Sequence, residues 1–260
     1  MLAYKNPIAV SAHQGDVKNY PPNTLAAYRA AVEMGCDMLE VDIHMTADGE
    51  LIMCHDHELD NCTNGTGLIR ERTFEYVRSL HTGVGKYEKF KGEKIPTLCE
   101  FLEFCKEYPD LLVDVELKDF PNHSGEFAFE SARKSLEMLD EYNMFDRIVF
   151  NTTSDARNEI NEWIHEHYGD RVLLHAYPFI LTDEAIAALP RFKSTYCTFV
   201  FTNIPHRYEK ANEFGIEAWA CVDVTKEENI DLAVRNGAKV ILANDAGFVL
   251  EKLRKMGFHS

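Results

Sequence analysis

The chain has 260 residues, 45% of them hydrophobic, and a formal net charge of −16. A chain of this length buries a large core without disulfide or metal staples. Its acidity argues against nonspecific nucleic-acid binding, which rests on Lys and Arg neutralising phosphates, and disfavours docking on an anionic membrane surface. No apolar run reaches the roughly 18 residues of a membrane span, and Met1-Leu2-Ala3-Tyr4-Lys5 carries no apolar signal core. The seven cysteines are odd in number and form no C-x-x-C pair, which fits a reducing compartment. Cys36, Cys54, Cys99, Cys105, Cys197 and Cys221 sit in apolar contexts, and Cys62 lies in a polar loop as the most exposed. A cytoplasmic protein is expected.

Short β-branched runs alternate with amphipathic segments along the chain. The predicted strands are Ile8–His13, Met38–Ile43, Leu111–Lys118, Arg147–Thr153, Arg171–Tyr177, Tyr196–Phe201, Glu217–Asp223 and Val240–Asp245. The predicted helices are Leu25–Met34, Thr97–Tyr108, Glu126–Asn143, Ser154–Tyr168, Thr182–Leu189, His206–Phe214, Thr225–Asn236 and Ala246–Met256. Eightfold strand–helix alternation reads as a parallel α/β fold. A closed (β/α)₈ barrel over residues 1–260 is the natural solution, with a doubly wound sheet as the alternative. One further strand, Leu51–His55, lies too close to Met38–Ile43 for a crossover helix, with the Asp48-Gly49 turn between them. After it, a polar insertion of about forty residues (57–94) exceeds the usual connection length and is expected to form part of a binding face.

Strand periodicity places Met38, Glu40 and Asp42 on one face and Leu39, Val41 and Ile43 on the other. The acidic face would look into a barrel near its C-terminal end. Neighbouring buried carboxylates repel unless a cation or proton separates them, and oxygen ligands select Mg²⁺ or Ca²⁺. Leu111–Lys118 repeats the pattern, with Asp114, Glu116 and Lys118 on one face. Glu116 is the natural third ligand, Lys118 could contact a phosphate or balance the acids, and Asp114 lies deeper. His13 and His55 end apolar runs beside these strands, and imidazoles suit acid–base work near neutral pH. Asp56 could orient His55 or cap the next turn. Among the other histidines, His175 stands out because it falls inside a strand.

Taken together, His13-Gln14-Gly15, Pro22-Asn23-Thr24, Glu40-Val41-Asp42, Thr46-Ala47-Asp48-Gly49, His55-Asp56, Thr63-Asn64-Gly65-Thr66-Gly67, Ile95-Pro96-Thr97-Leu98 and Glu116-Leu117-Lys118 resemble, in order and spacing, the glycerophosphodiester phosphodiesterase family. The resemblance weakens after about residue 150. It implies a (β/α)₈ barrel with a small insertion after the second strand. His13 and His55 would be the general acid and base, Glu40, Asp42 and Glu116 the ligands of Mg²⁺ or Ca²⁺, and Lys118 a phosphate neighbour. Trp219 would pack near the glycerol moiety. The implied reaction is attack by the substrate's glycerol 2-hydroxyl, giving a cyclic phosphate that water opens to glycerol 3-phosphate. A small soluble glycerophosphodiester is the expected partner, with no nucleic acid and no stable membrane insertion; the oligomeric state is not fixed by the sequence.

The departures are specific. Gln14 stands where the family usually has Arg, which removes a bidentate phosphate donor. Pro22 replaces a usual Glu, Asn61-Cys62-Thr63 replaces Arg-Thr-Thr, and Asn244-Asp245-Ala246-Gly247 replaces Thr-Asp-x-Pro. The alternatives are a non-catalytic barrel that binds phosphorylated glycerol, motivated by Gln14 and Pro22, and a metal-dependent sugar isomerase, which would need further His or Lys residues on later strands.

Overall fold

The computed structural model describes residues 1–152, 159–177, 182–200, 205–221 and 226–260. Its strands are β1 (Ala9–His13), β2 (Met38–Met45), β3 (Leu51–Met53), β4 (Leu112–Leu117), β5 (Ile148–Asn151), β6 (Leu174–Ala176), β7 (Tyr196–Val200), β8 (Glu217–Cys221) and β9 (Val240–Ala243). All but β3 run parallel, in the order β1-β9-β8-β7-β6-β5-β4-β2, and a β1–β2 pairing closes the ring. The chain folds as a (β/α)₈ barrel, and the open doubly wound sheet is excluded by that closure. The extra strand is shorter than expected. It ends at Met53 and pairs antiparallel with the extended end of β2, Ile43 opposite Met53. Cys54 and His55 are thereby left in the following turn. The predicted strand ends Thr153, Phe201 and Asp223, and the predicted helix starts Ser154 and Thr225, lie outside the described residues.

Alternation along each strand sorts the side chains. Leu39, Val41 and Ile43 point outward and pack with Phe101, Leu102 and Val113 in the main apolar core between barrel and helices. Each fully buried aliphatic or aromatic side chain there contributes about 1.5–3 kcal/mol. Inward-facing Ala9, Met38, Leu112, Val149, Trp219 and Val240 form a separate apolar floor inside the barrel. One step up, the register sets Glu40 opposite Asp114 and Asp42 opposite Glu116. Polar side chains thus fill the upper barrel.

Two local devices position the mouth. Thr24 caps the helix Leu25–Met34, its hydroxyl accepting from the Ala27 N–H at 3.2 Å. Thr97 and Glu100 form a reciprocal capping box on the helix Leu98–Lys106. The segment after β3 builds its own small apolar cluster from Ile52, Leu59, Ile69, Val77, Leu80 and Ile95. It reaches over the barrel, and Tyr87 donates from its hydroxyl to the Val17 carbonyl at 2.6 Å.

Gly15 turns the chain from β1 toward the helix that follows. Its φ is +87°, and a Cβ there would sit 2.7 Å from the Ala27 carbonyl carbon. Gly15→Ala should therefore cost about 2–4 kcal/mol, combining left-handed strain with backbone overlap. Urea denaturation reads this directly, and an unchanged midpoint would contradict the close approach.

Candidate active site

β2 and β4 deliver three carboxylates to one point. Glu40, Asp42 and Glu116 are all buried, and one side-chain oxygen from each lies within 4.8 Å of the others. Asn23 fixes Asp42 from the loop after β1. Its amide nitrogen donates to Asp42 Oδ2 at 2.7 Å, and its Oδ1 accepts from the Asp42 N–H at 3.2 Å and from the Tyr28 hydroxyl at 2.7 Å. Asn23 does this from a left-handed backbone (φ +55°), a conformation that Asn tolerates. Glu40 Oε2 accepts from the Gln14 N–H at 3.1 Å, while its Oε1 is buried without a hydrogen-bond partner.

Among the described residues, a single ammonium faces these acids. Lys118 Nζ lies 2.5 Å from Glu116 Oε1 and 3.2 Å from Asp42 Oδ1. The second contact is an ion pair without hydrogen-bond geometry, so Asp42 Oδ1 makes no hydrogen bond. Burial, with the charges of Asp42 and Glu116, pushes the Glu40 carboxyl well above the usual range. Burial acts the same way on Asp42, but Lys118, His55, His13 and the Asn23 amide outweigh it and hold that carboxyl below its ordinary value. For Lys118, burial is outweighed by Asp42, Glu116 and Glu40, which keep the ammonium charged. Three acids against one lysine, with buried oxygen lone pairs left over, is a donor set for a hard divalent cation.

Two imidazoles stand above this cluster, their ring centroids 6.4 Å apart. His13 ends β1. Its Nδ1 lies 2.6 Å from Asn244 Oδ1, and its Nε2 lies 3.8 Å from Glu40 Oε2. An amide oxygen only accepts, so His13 carries its proton on Nδ1 and aims the Nε2 lone pair at the site. His55 follows β3 and is backed by a carboxylate, with Nδ1 2.8 Å from Asp56 Oδ1. Of the two roles considered for Asp56, orienting His55 is the one its contact fits. Gln14 is buried with φ +58°, and its side-chain nitrogen lies 3.5 Å from His13 Nε2. A cavity of about 410 Å³ opens beside them, lined by Gln14, Pro22, His55, Asn61, Lys86 and Tyr87. A groove of about 780 Å³ runs past His55, Arg70, Glu116, Lys118, Phe120 and His123 on the other side.

Thus His13, Gln14, Glu40, Asp42, His55, Glu116 and Lys118 converge on one mouth. Trp219 does not. It is 1% exposed on the barrel floor, packs at a tilt against Tyr196 (5.1 Å) and His175 (4.7 Å), and donates its indole N–H to Glu217 at 2.9 Å. The glycerol contact expected of it is not one that this placement makes. His175 is likewise fully buried, between Asp114 (3.1 Å) and Thr198 (2.9 Å). Asp114 is therefore occupied in bracing the barrel interior beneath the acids. The cysteines also depart from expectation in part. Cys62 is half-buried, as are Cys99 and Cys221.

Sequence reasoning missed two asparagines, Asn23 and Asn244, which set the orientation of Asp42 and His13. Asn23 stood inside a recognised motif, and Asn244 ended a predicted strand; their roles need the closed ring. It also missed His44. That ring is buried and its Nδ1 lies 2.8 Å from Asp119 Oδ1; Asp119 also accepts from the Met45 N–H and the Ser131 hydroxyl. His57 packs 5.0 Å from His44 and 5.6 Å from His123.

A sequence profile described as the glycerophosphoryl diester phosphodiesterase family matches residues 13–168. The chain is 30% identical over 249 residues to the glycerophosphodiester phosphodiesterase of Caldanaerobacter subterraneus subsp. tengcongensis, spanning 95% of this chain and 98% of that protein. In fold it is similar to the Oleispira antarctica phosphodiesterase solved with its product sn-glycerol-3-phosphate (TM-score 0.82, 20% identity, 96% and 97% of the two chains). It is similar also to the glycerophosphodiester phosphodiesterase of Agrobacterium tumefaciens (TM-score 0.75, 20% identity, 93% and 98%). Among the described residues no helix is long and apolar enough to cross a membrane.

Desolvation, joined by His44 and His123, lowers the His57 imidazole to about 4. The folded state therefore resists a proton that the unfolded chain accepts near pH 6.5. Stability from this group is complete above pH 6.5 and is lost as pH falls toward 4. The melting temperature of His57→Gln should fall less than that of the unsubstituted chain between pH 6.5 and 4.5. Parallel curves would contradict the packing of the three rings.

Proposed function

Because the chain belongs to the glycerophosphoryl diester phosphodiesterase family, we propose that it hydrolyses glycerophosphodiesters to glycerol 3-phosphate and an alcohol with the help of a divalent metal, using His13 and His55 for proton transfer. The observation that carries this reading is the placement of two imidazoles, each with one ring nitrogen held by a side-chain oxygen, directly above three buried carboxylates.

Glu40, Asp42 and Glu116 would hold the cation, Mg²⁺ or Ca²⁺. The fit rests on their clustered oxygens and on the unpartnered Glu40 Oε1. When bound, such a cation supplies a Lewis acid that draws charge from the phosphate and makes a nearby hydroxyl more acidic. The protein's own groups do the rest. Asn23 keeps Asp42 turned inward, and the Gln14 N–H keeps Glu40 in place. Lys118 is positioned to balance negative charge as the diester enters, and the Gln14 amide offers an uncharged hydrogen bond where the resemblance leads one to expect a guanidinium.

The two histidines differ in their partners, and that difference supports distinct roles for them. His13 is held at Nδ1 by an amide oxygen, which leaves Nε2 turned to the site and suits it to take the proton from the attacking glycerol hydroxyl. His55 is held at Nδ1 by the Asp56 carboxylate, which fixes its ring beside the cavity and suits it to give a proton to the departing alcohol. Water then opens the cyclic phosphate with the roles reversed. The cavity beside Pro22, Lys86 and Tyr87 is the space for the leaving alcohol. Full burial of His175 removes the later-strand residue that the isomerase alternative required.

His13→Ala and His55→Ala should each lower turnover of glycerophosphocholine by about 10²–10⁴-fold while leaving calorimetric Mg²⁺ or Ca²⁺ binding intact. A diester with a p-nitrophenol leaving group should rescue His55→Ala but not His13→Ala, since that group departs without a proton. Rescue of His13→Ala instead would reverse the assignment, and a double-digit percentage of activity left in either variant would remove the role altogether. Glu116→Gln should weaken metal binding at least tenfold and cut turnover in parallel, as excess chelator does in the unsubstituted chain.

A further inference from the structure

Cys54 and Cys62 lie on either side of the turn that carries His55. Cys54 immediately precedes that histidine, and its N–H donates to the Asp42 carbonyl at 3.1 Å, which anchors it to β2. Cys62 closes the short 3-10 turn Leu59–Asn61, its N–H donating to the Leu59 carbonyl at 3.3 Å. The two sulfurs are 3.2 Å apart across eight positions of sequence. Cys54 is buried, 3% exposed, whereas Cys62 is half-buried at the edge of the mouth. A bonded pair needs a separation of about 2.05 Å, so closure requires an approach of about 1.2 Å.

We propose that Cys54 and Cys62 form an oxidative modification site, in which a peroxide converts the thiol pair to a disulfide that draws in the His55 turn and lowers turnover. Cys62, the more accessible sulfur, is attacked first. Its thiolate displaces hydroxide from hydrogen peroxide and becomes a sulfenic acid. The Cys54 sulfur then attacks that sulfur, the S–O bond breaks, and water leaves as the disulfide forms. Two thiols and one peroxide give one disulfide and two waters. A dithiol such as dithiothreitol reverses the step by thiol–disulfide exchange.

The consequence for the site follows from the short loop. His55 and Asp56 are 46% and 36% exposed and sit within the closed ring. A displacement near 1 Å at a catalytic group costs about 10²-fold in rate. Oxidation should therefore reduce turnover by about tenfold to a hundredfold. The loss of turnover rests on the phosphodiesterase reading above; the crosslink does not.

The test uses the full chain, reduced and then treated with stoichiometric hydrogen peroxide. Cleavage after Glu58 separates the two cysteines, so mass spectrometry reads the bond as a joined peptide pair two mass units lighter than its free thiols. A Cys54–Cys62 pair that forms together with a loss of glycerophosphocholine turnover, both reversed by dithiothreitol and both absent in Cys62→Ser, is the expected result. Cys62→Ala serves if the serine variant melts early. Overturning results are two thiols that remain alkylatable, a sulfinic acid on Cys62 beside a free Cys54, or a crosslink with unchanged turnover. If the reduced chain cleaves no diester, the catalytic reading fails and the crosslink still decides the modification site.

Discussion

The mouth of this barrel is organised by uncompensated negative charge. Among the described residues, Glu40, Asp42 and Glu116 share a small, buried volume with one ammonium, that of Lys118. Burying like charges is among the costliest things a fold can do, and the neighbouring structure is arranged around the problem. Asn23 and the Gln14 N–H each spend a hydrogen bond on one acid. Both residues sit in left-handed conformations to do so, which adds local strain of a kind that clusters at functional sites. Tyr28 in turn braces Asn23 from the first helix. The helix, the loop after β1 and β2 are thus coupled through a short chain of hydrogen bonds, and the Lys118 ion pair with Asp42 ties β4 to it.

The barrel separates this charge from its apolar support by height. The floor of Met38, Leu112, Val149 and Trp219 closes the bottom. Asp114, His175 and Thr198 form a paired layer above it. Because that layer's donors and acceptors face one another, it transmits rigidity upward without offering a group to the ligand. Among the described residues, the side chains of the candidate site lie at the rim, where β1, β2, β4 and the turn after β3 end.

Much of this could be read from the chain. Two acids at i and i+2 in each of two strands define a face, and a face inside a closed ring defines a cluster. Eight strand–helix repeats made the ring the expected closure. What could not be read is height and lateral neighbourhood. Trp219 lies on an inward face, but strand periodicity does not say whether an inward residue is at the floor or the rim, a difference of only one or two inward positions at about 3.3 Å per residue. Asn244 orients His13 because β9 is the neighbour of β1, a fact of ring closure between residues 231 positions apart. His44, which local sequence gave no setting, gains one from Asp119 on the far side of the insertion. The proximity of Cys54 to Cys62 likewise arises from a turn whose geometry local composition does not specify.

The pairing of β2 with β4 also bears on how the chain reaches this state. Glu40 faces Asp114 and Asp42 faces Glu116 in register, so the two strands meet with like charges opposed, an arrangement that weakens pairing. They are also separated in sequence by the whole insertion, so loop-closure entropy must be overcome before they touch. Lys118 sits two residues beyond Glu116 on the same strand and brings its positive charge with it. His175, which answers Asp114, arrives only with β6. The acidic seam is thus a place where native pairing opposes itself until Lys118 and the polar partners of Asp114 are in position. A register that sets acid against acid is one in which the closing of the ring and the clustering of its carboxylates work against each other.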